Sequence, residues 1–573
     1  MGTQQQQQRR NVEMEKSRLP KDKYERFEAW LLENGAQFDA LELREYDSPE
    51  VDDEQEEKKE QTAVNSTAEE SEMRGVHART HIPPNTVCMS IPRRCLITVE
   101  MGQETPIGQA ILRSDLDLDA PKHIFLMVFV LWDRKMNGSR SFFHPYYEIL
   151  PQTLRNMPIF WTQEELDFLQ GSYLLQQIQD RSDAITDDYH SICQIAPLHK
   201  ICTLEEFKWA RMCVCSRNFG LQIDGHRTSA LVPHADMLNH YRPRETKWTY
   251  DEDRRAFTIT SLQSIPAGAQ VYDSYGQKCN HRFLLNYGFA VEDNRELDGF
   301  CPNEVPIELS LNPGDPLFNQ KLDFWMRGEL SMARSNASKR VRVCASNNEN
   351  TRLLFSLLRV MNCNSEELRT ISTPVAGDMR SLFVPDHRGG LSSFYRSCRD
   401  VRHPVSLRNE RASMRHLRQI IALALSKYPT TLQQDLADLQ DHAQYPPFSN
   451  KRHAKIQTRG EKEVLHHYER WARTALEVMN VIEQDVREEQ ERGGVEVQLG
   501  HGIVHDDVLR SSCGFDFLIQ RMEDDESSIH DSIVRYCADV LGSLRREELK
   551  TIRQHRTVIT SSNGIPKSNR GFF

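Results

Sequence analysis

A chain of 573 residues with 38% hydrophobic and 27% charged residues is long enough for two or three domains and too apolar to be globally disordered. Its net charge of −11 and isoelectric point near 6.1 argue against bulk nucleic-acid binding, which needs a basic face, and leave a basic protein substrate open.

Residues 1–19 are polar and of low complexity, and are expected to be a disordered lead-in. They carry no secretory pattern, and Gln6 stands where a myristoylation signal needs Ser or Thr, so a cytoplasmic or nuclear protein is expected. Phe27, Trp30 and Leu31 recur at helical spacing, with Asn34-Gly35 as a stop. A short strand is predicted at 41–45. The acidic, Ser/Thr-rich run 49–73 predicts a solvated loop. Order returns at 74–79, where Gly75 allows an unusual backbone angle or a close approach to a ligand. Residues 82–85 read as a turn and 87–91 as a strand.

From about 109 to 212 the pattern is mostly helical, and Thr162 with Glu165 makes a capping box. The longest strongly apolar run, 124–132, is too short to span a bilayer. Strand and turn character returns over 228–290, with a turn at 265–268. Beyond 315 the chain reads as helical again. Leu353, Leu354, Leu357 and Leu358 form one apolar stripe, and Leu417, Ile420, Ile421 and Ala424 another. Thr431 and Gln434 offer a second capping box, 461–491 one long helix stopped by Gly493-Gly494, and 529–552 an amphipathic segment. The 13 cysteines include no Cys-x-x-Cys pair; the nearest pair, Cys213 and Cys215, is expected to be reduced and in the core.

Asp236, Asn239 and His240 stand about thirty-five residues ahead of Tyr275-Gly276. By themselves they fit a structural polar network as well as a reactive site, and one helical turn would set Asp236 beside His240. No metal site is expected, because no further His/Cys pair lies at ligand spacing. Tyr275 and Tyr287 are candidate catalytic residues that would line a narrow aromatic channel; their bland alternative is edge-strand packing.

The order of these pieces resembles a SET-domain methyltransferase. Arg74-Gly75-Val76-His77-Ala78 is similar to the family's first motif, whose backbone lines the S-adenosyl-L-methionine pocket. Ser216-Arg217-Asn218-Phe219 resembles the second, where Arg217 would receive the cofactor carboxylate. Asp236-Met-Leu-Asn239-His240 resembles the third, where Asn239 and His240 would hold the methionyl and adenine portions. Tyr275-Gly276 resembles the fourth, at the methyl-transfer channel. The resemblance thus implies a cofactor set of Gly75, Val76, His77, Arg217, Asp236, Asn239, His240 and Tyr275.

The family's usual zinc-binding cysteine cluster is missing, which fits the Rubisco large-subunit methyltransferase-like branch, a group that also includes an actin-histidine methyltransferase. Phe143-His-Pro-Tyr-Tyr147, Leu150-Pro151 and the run 161–166 resemble that branch's helical insert, and 428–432 with 459–463 resemble its substrate-binding domain. The implied fold class is α+β. A SET domain with small sheets and pseudoknot-like motifs would span 20–315, with the acidic loop 49–73 and a helical insert at 109–212. An all-α substrate-binding domain would follow at 316–495, then a tail at 496–573. The expected partner is a protein substrate docked on the helical domain, with the chain acting as a monomer and with no nucleic acid or membrane involved.

Histidine-modifying members carry an Asn where this chain has Phe219, a small polar residue where it has Tyr287, and a Trp where it has Ala235. These three positions, assigned to the substrate pocket, therefore imply lysine rather than histidine as the acceptor. Lysine needs help: at pH 7.4 the neutral amine costs roughly 4 kcal/mol, which a desolvating aromatic channel reduces. His77 departs from a position where a basic residue meets the cofactor carboxylate. Histidine methylation and a non-catalytic binding scaffold are the alternatives.

Overall fold

The computed structural model describes residues 23–45, 74–326, 337–346, 348–372, 404–491, 532–533 and 535–562. The lead-in 1–19, the acidic run 49–73, the Gly493-Gly494 stop and most of the tail lie outside the described residues. The chain divides into two compact units, Met1–Leu166 with Leu174–Ala290, and Asp167–Tyr173 with Val291–Phe573.

In the first unit, the helix Lys23–Glu33 buries Phe27, Trp30 and Leu31, the residues whose spacing predicts it, and Asn34 caps it through a bond to the Trp30 carbonyl. The strands are β1 (Leu41–Glu45), β2 (Arg74–Ala78), β3 (Val87–Pro92), β4 (Ile97–Thr98), β5 (Asn218–Ile223), β6 (His226–Leu231), β7 (Asn239–His240), β8 (Thr246–Asp251), β9 (Ala256–Ser261) and β10 (Tyr272–Asp273). They make small sheets: β1–β2, β4–β6–β5 and β3–β9–β8 are antiparallel, and β10 returns to lie parallel to β7. Gly75 sits mid-strand opposite Arg44 and is not among the residues of positive φ, so an unusual backbone angle is not its role.

The helical insert packs on these sheets. Helix Pro121–Asn137 contains the longest apolar run, and Ile124 to Leu131 are all buried, which makes it a core helix. Helix Leu204–Arg217 opens on a capping box, with Thr203 Oγ1 accepting from Glu206 N at 3.2 Å and Glu206 Oε2 accepting from Thr203 N at 2.8 Å. It ends where β5 begins, so Arg217 is its last residue. The capping box read at Thr162 and Glu165 is formed as well.

The second unit is helical, as its sequence predicts, with one addition: β11 (Glu304–Ser310) and β12 (Ser338–Cys344) pair antiparallel. This corrects the all-α expectation. Val305, Ile307 and Leu309 alternate inward along β11, which lies ahead of the stretch read as helical, whereas β12 falls inside it. The long helix runs Asn450–Glu491, starting well ahead of residue 461. It packs with Leu407–Leu425 around Trp471, Tyr468, Leu417 and Ile421. Thr431 and Gln434 form their capping box. A buried fork joins Arg359 to Glu410, with both bonds at 2.7 Å. Among the described residues every cysteine is free, and no helix is long and apolar enough to cross a membrane.

His467, 3% exposed on the long helix, has no hydrogen-bond partner on either ring nitrogen. Burial, then the charge of Arg470, pushes its pKa down to about 4. The unfolded chain takes up a proton near pH 6.5 and the folded one does not, so stability falls as the pH drops from 6.5 towards 4. At pH 4.5 this penalty is on the order of 2–3 kcal/mol. His467→Phe should therefore gain on the wild type as the pH is lowered from 7 to 4.5, read from urea unfolding midpoints. A difference that does not change with pH would contradict a buried neutral imidazole.

Candidate active site

The parallel pairing of β7 with β10 sets Asn239 opposite Tyr272 and His240 opposite Asp273. It brings Tyr275 against a residue thirty-five positions earlier: His240 Nδ1 accepts the Tyr275 N–H at 3.0 Å. The imidazole stacks on Tyr275 at 5.1 Å and lies 4.8 Å from the Phe283 ring. Burial, then the charges of Arg242 and Lys278, lowers its pKa to about 4, so it is neutral and Nδ1 is free to accept. Asn239 Nδ2 donates to the Arg74 carbonyl at 2.9 Å and to Gln270 Oε1 at 3.3 Å, which ties β7 to β2.

Tyr275 donates its hydroxyl proton to the Leu238 carbonyl at 2.8 Å. Burial raises its pKa, and Tyr287 is pushed up to about 12 by the same cause, so both phenols stay protonated. Tyr287 closes the helix Asn280–Tyr287 just before Gly288, whose φ of 78° ends the helix. A Cβ at 288 would sit 2.2 Å from Asn156 Nδ2, so the position needs glycine. The Tyr275 and Tyr287 rings stack at 4.8 Å and 27°. They therefore form one continuous aromatic wall. Phe289 lies 6.1 Å from Tyr287 and 5.2 Å from Phe283. Lys278 bonds the Tyr275 carbonyl and sits 5.8 Å over the Tyr287 ring; burial, then Arg282, lowers its pKa.

Arg217 meets Asp236 and not the β7–β10 junction itself. Its Nη1 donates to the Asp236 carbonyl at 3.1 Å and to Oδ2 at 3.2 Å, and Tyr146 donates its hydroxyl to the same Oδ2 at 2.8 Å. The Asp236 side chain is 0% exposed and that of Arg217 is 16% exposed. Burial opposes the guanidinium charge most strongly, and Asp236 together with Tyr146, Cys213 and Tyr275 outweighs it, so the pKa is raised. Residues 235–237 form a short 3-10 turn and 239–240 a strand, so Asp236 and His240 are not neighbours on one helical turn.

The remaining candidates are placed as follows. Gly75 and Val76 are buried in β2, and the Val76 carbonyl accepts from Val271 N at 2.8 Å. His77, 9% exposed, is held on the 265–268 turn by a 2.9 Å bond between Nδ1 and the Gly268 carbonyl. Phe219 shares the inward face of β5 with Leu221 and Ile223 and meets Trp248 at 5.4 Å and Phe257 at 5.0 Å. Its ring thus belongs to the sheet core rather than to the tyrosine wall. Ala235 is buried in the same hydrophobic core. Two residues went unread as site residues. Tyr146 was visible only as part of an aromatic run, and Lys278 only as one of many lysines; neither carries a local signal of its partner.

Comparison with known proteins gives two family matches, the SET domain over residues 73–276 and Rubisco LSMT substrate-binding over 312–465. Actin-histidine N-methyltransferase of Homo sapiens is 26% identical over 405 residues, covering 68% of this chain and 62% of that protein. Its Callithrix jacchus counterpart is 26% identical over 513 residues, covering 87% and 77%. The chain thus spans about 62% of the length of the human relative. Among solved structures, the SET domain of LSMT bound to lysine and AdoHcy aligns with a TM-score of 0.58 at 21% identity, covering 86% of this chain and 98% of that one. Rubisco LSMT bound to AdoMet aligns with a TM-score of 0.57 at 21% identity, covering 80% and 93%.

Proposed function

We propose that this chain, which joins a SET domain to a Rubisco LSMT substrate-binding domain, is an S-adenosylmethionine-dependent protein methyltransferase. The observation that carries the reading is the β7–β10 junction, where Asn239, a neutral His240 and Tyr275 converge. The residues fit the cofactor. Arg217 has one nitrogen committed to Asp236, and its side chain is 16% exposed, which leaves further N–H donors for a carboxylate. His240 offers an uncharged, stacked ring suited to a purine, and Asn239 holds the Arg74 carbonyl that borders the pocket. When bound, S-adenosylmethionine supplies an electrophilic methyl group.

The protein's own work is positional. Because Tyr275 gives its proton to Leu238, its hydroxyl oxygen presents lone pairs that orient the N–H of an incoming acceptor. Neither Tyr275 nor Tyr287 acts as a general base, since burial raises both pKa values and keeps the phenols protonated.

For the acceptor we favour lysine. The stacked tyrosines and Phe289 make an apolar wall on which an alkyl amine packs. The lowered pKa of Lys278 at that wall reports an environment that disfavours an ammonium, which helps supply the neutral amine. Histidine is the second reading, favoured by the names of the sequence relatives. The test is to incubate the protein with isotope-labelled methyl donor and cell lysate, then map the modified atom. Label on a lysine Nζ is expected. Label on imidazole would move the assignment to histidine, and cofactor binding without transfer would favour a non-catalytic scaffold. The helical unit is proposed to dock the protein substrate.

A further inference from the structure

Three side chains from distant parts of the first unit meet at the Asp236 carboxylate. Tyr146, on the helix His144–Ile149, is 0% exposed. Its ring is held 6.2 Å from Phe27 and 6.3 Å from Tyr147, so the hydroxyl has a fixed direction. That hydroxyl donates to Asp236 Oδ2, the oxygen that also accepts from Arg217 Nη1. Asp236 Oδ1 and Arg217 Nε are both buried and have no protein partner. The carboxylate therefore binds the guanidinium through one oxygen, although a second buried oxygen and a second buried nitrogen stand unused.

Left to itself, an aspartate beside an arginine turns to make two parallel N–H···O bonds, the stronger arrangement. Here the Tyr146 hydroxyl competes for Oδ2 and keeps the carboxylate from closing on the guanidinium. An arginine held by one nitrogen retains donors for a second anion, whereas a doubly bridged one has spent them. We propose that Tyr146 is a positioning residue: acting through Asp236, it sets Arg217 to receive the carboxylate of the methyl donor. This rests on the cofactor reading given above. The Asp236 side chain, 0% exposed, serves in this arrangement as the support of Arg217. The neighbouring Tyr147 serves elsewhere, donating to Asp133 Oδ2 at 2.8 Å, so the two adjacent tyrosines hold different buried carboxylates.

The test is direct binding without turnover, using two probes that share the adenosine thioether. S-adenosylhomocysteine carries the amino-acid carboxylate and 5′-methylthioadenosine does not. Titration calorimetry on the wild type, Tyr146→Phe and Asp236→Asn separates the contributions. Tyr146→Phe removes one hydroxyl from a packed ring, and its affinity for S-adenosylhomocysteine should fall about tenfold, the scale of one hydrogen bond to a charged group. Its affinity for 5′-methylthioadenosine should stay within about twofold of the wild type. Asp236→Asn keeps the volume and should show the same selective loss. Equal loss for both probes would make Tyr146 merely structural and overturn the proposal, as would no loss for either. A wild type that binds the two probes alike would instead remove Arg217 from carboxylate recognition, which is a failure of the underlying reading.

Discussion

Tyr275→Phe is expected to cut methyl transfer roughly 100- to 1,000-fold while leaving cofactor affinity within a few-fold. The hydroxyl is the one polar group that Tyr275 extends beyond its ring, and its proton is committed to the Leu238 carbonyl at 2.8 Å. Without it, that carbonyl loses its donor, and the acceptor nitrogen loses the oxygen that orients it. Misplacing a reacting atom by about 1 Å costs a factor near a hundred. The backbone contact to His240 does not involve the hydroxyl and should survive, as should the ring stacking on His240 and Tyr287. Single-turnover rates set beside S-adenosylhomocysteine affinity separate the two effects. Unchanged turnover would take Tyr275 out of the mechanism.

Arg217→Met should be the most destabilising of the substitutions considered, by about 3–5 kcal/mol, and should abolish detectable cofactor binding. It leaves Asp236, whose side chain is 0% exposed, with the Tyr146 hydroxyl as its one side-chain donor. A buried carboxylate without its counter-charge is among the costliest single defects. The check is a double-mutant cycle in urea. Asp236→Asn combined with Arg217→Met should recover most of the lost stability, since the pair is then neutral, without recovering cofactor binding. Additive losses in the double mutant would show that the two groups do not stabilise each other, against a shared ion pair at 3.2 Å.

Much of the local structure was legible in the sequence. Phe27, Trp30 and Leu31 at helical spacing are the buried face of a helix, and β1 falls at 41–45 as its alternation predicts. Both capping boxes form, because they depend on residues three positions apart. The order of motifs pointed to a SET fold and a helical partner domain before any contact was known. Periodicity missed β12, a strand at Ser338–Cys344 inside the stretch beyond 315 that reads as helical. It was silent on direction as well. Phe219 lies next to Arg217 and Asn218 in the chain, yet the pleat turns it to Trp248 and Phe257 in the sheet core. Two of the three residues on which the choice of lysine was argued, Phe219 and Ala235, thus lie with the core, and Tyr287 lies at the aromatic wall.

By itself the sequence singled out the candidate side chains and the order in which they come: an arginine, an Asp-x-x-Asn-His group, a tyrosine before glycine, and a second tyrosine. It determined which faces of helices and strands are buried, because side-chain spacing follows from backbone geometry. What each face is buried against was decided only by the tertiary structure. The two-residue pairing of β7 with β10 creates the His240–Tyr275 contact, and the packing of the helical insert brings Tyr146 to Asp236, ninety residues away. Packing also stacks Tyr275 on Tyr287 as one aromatic wall. These partners are set by chain crossings that close long loops, and no local period encodes them.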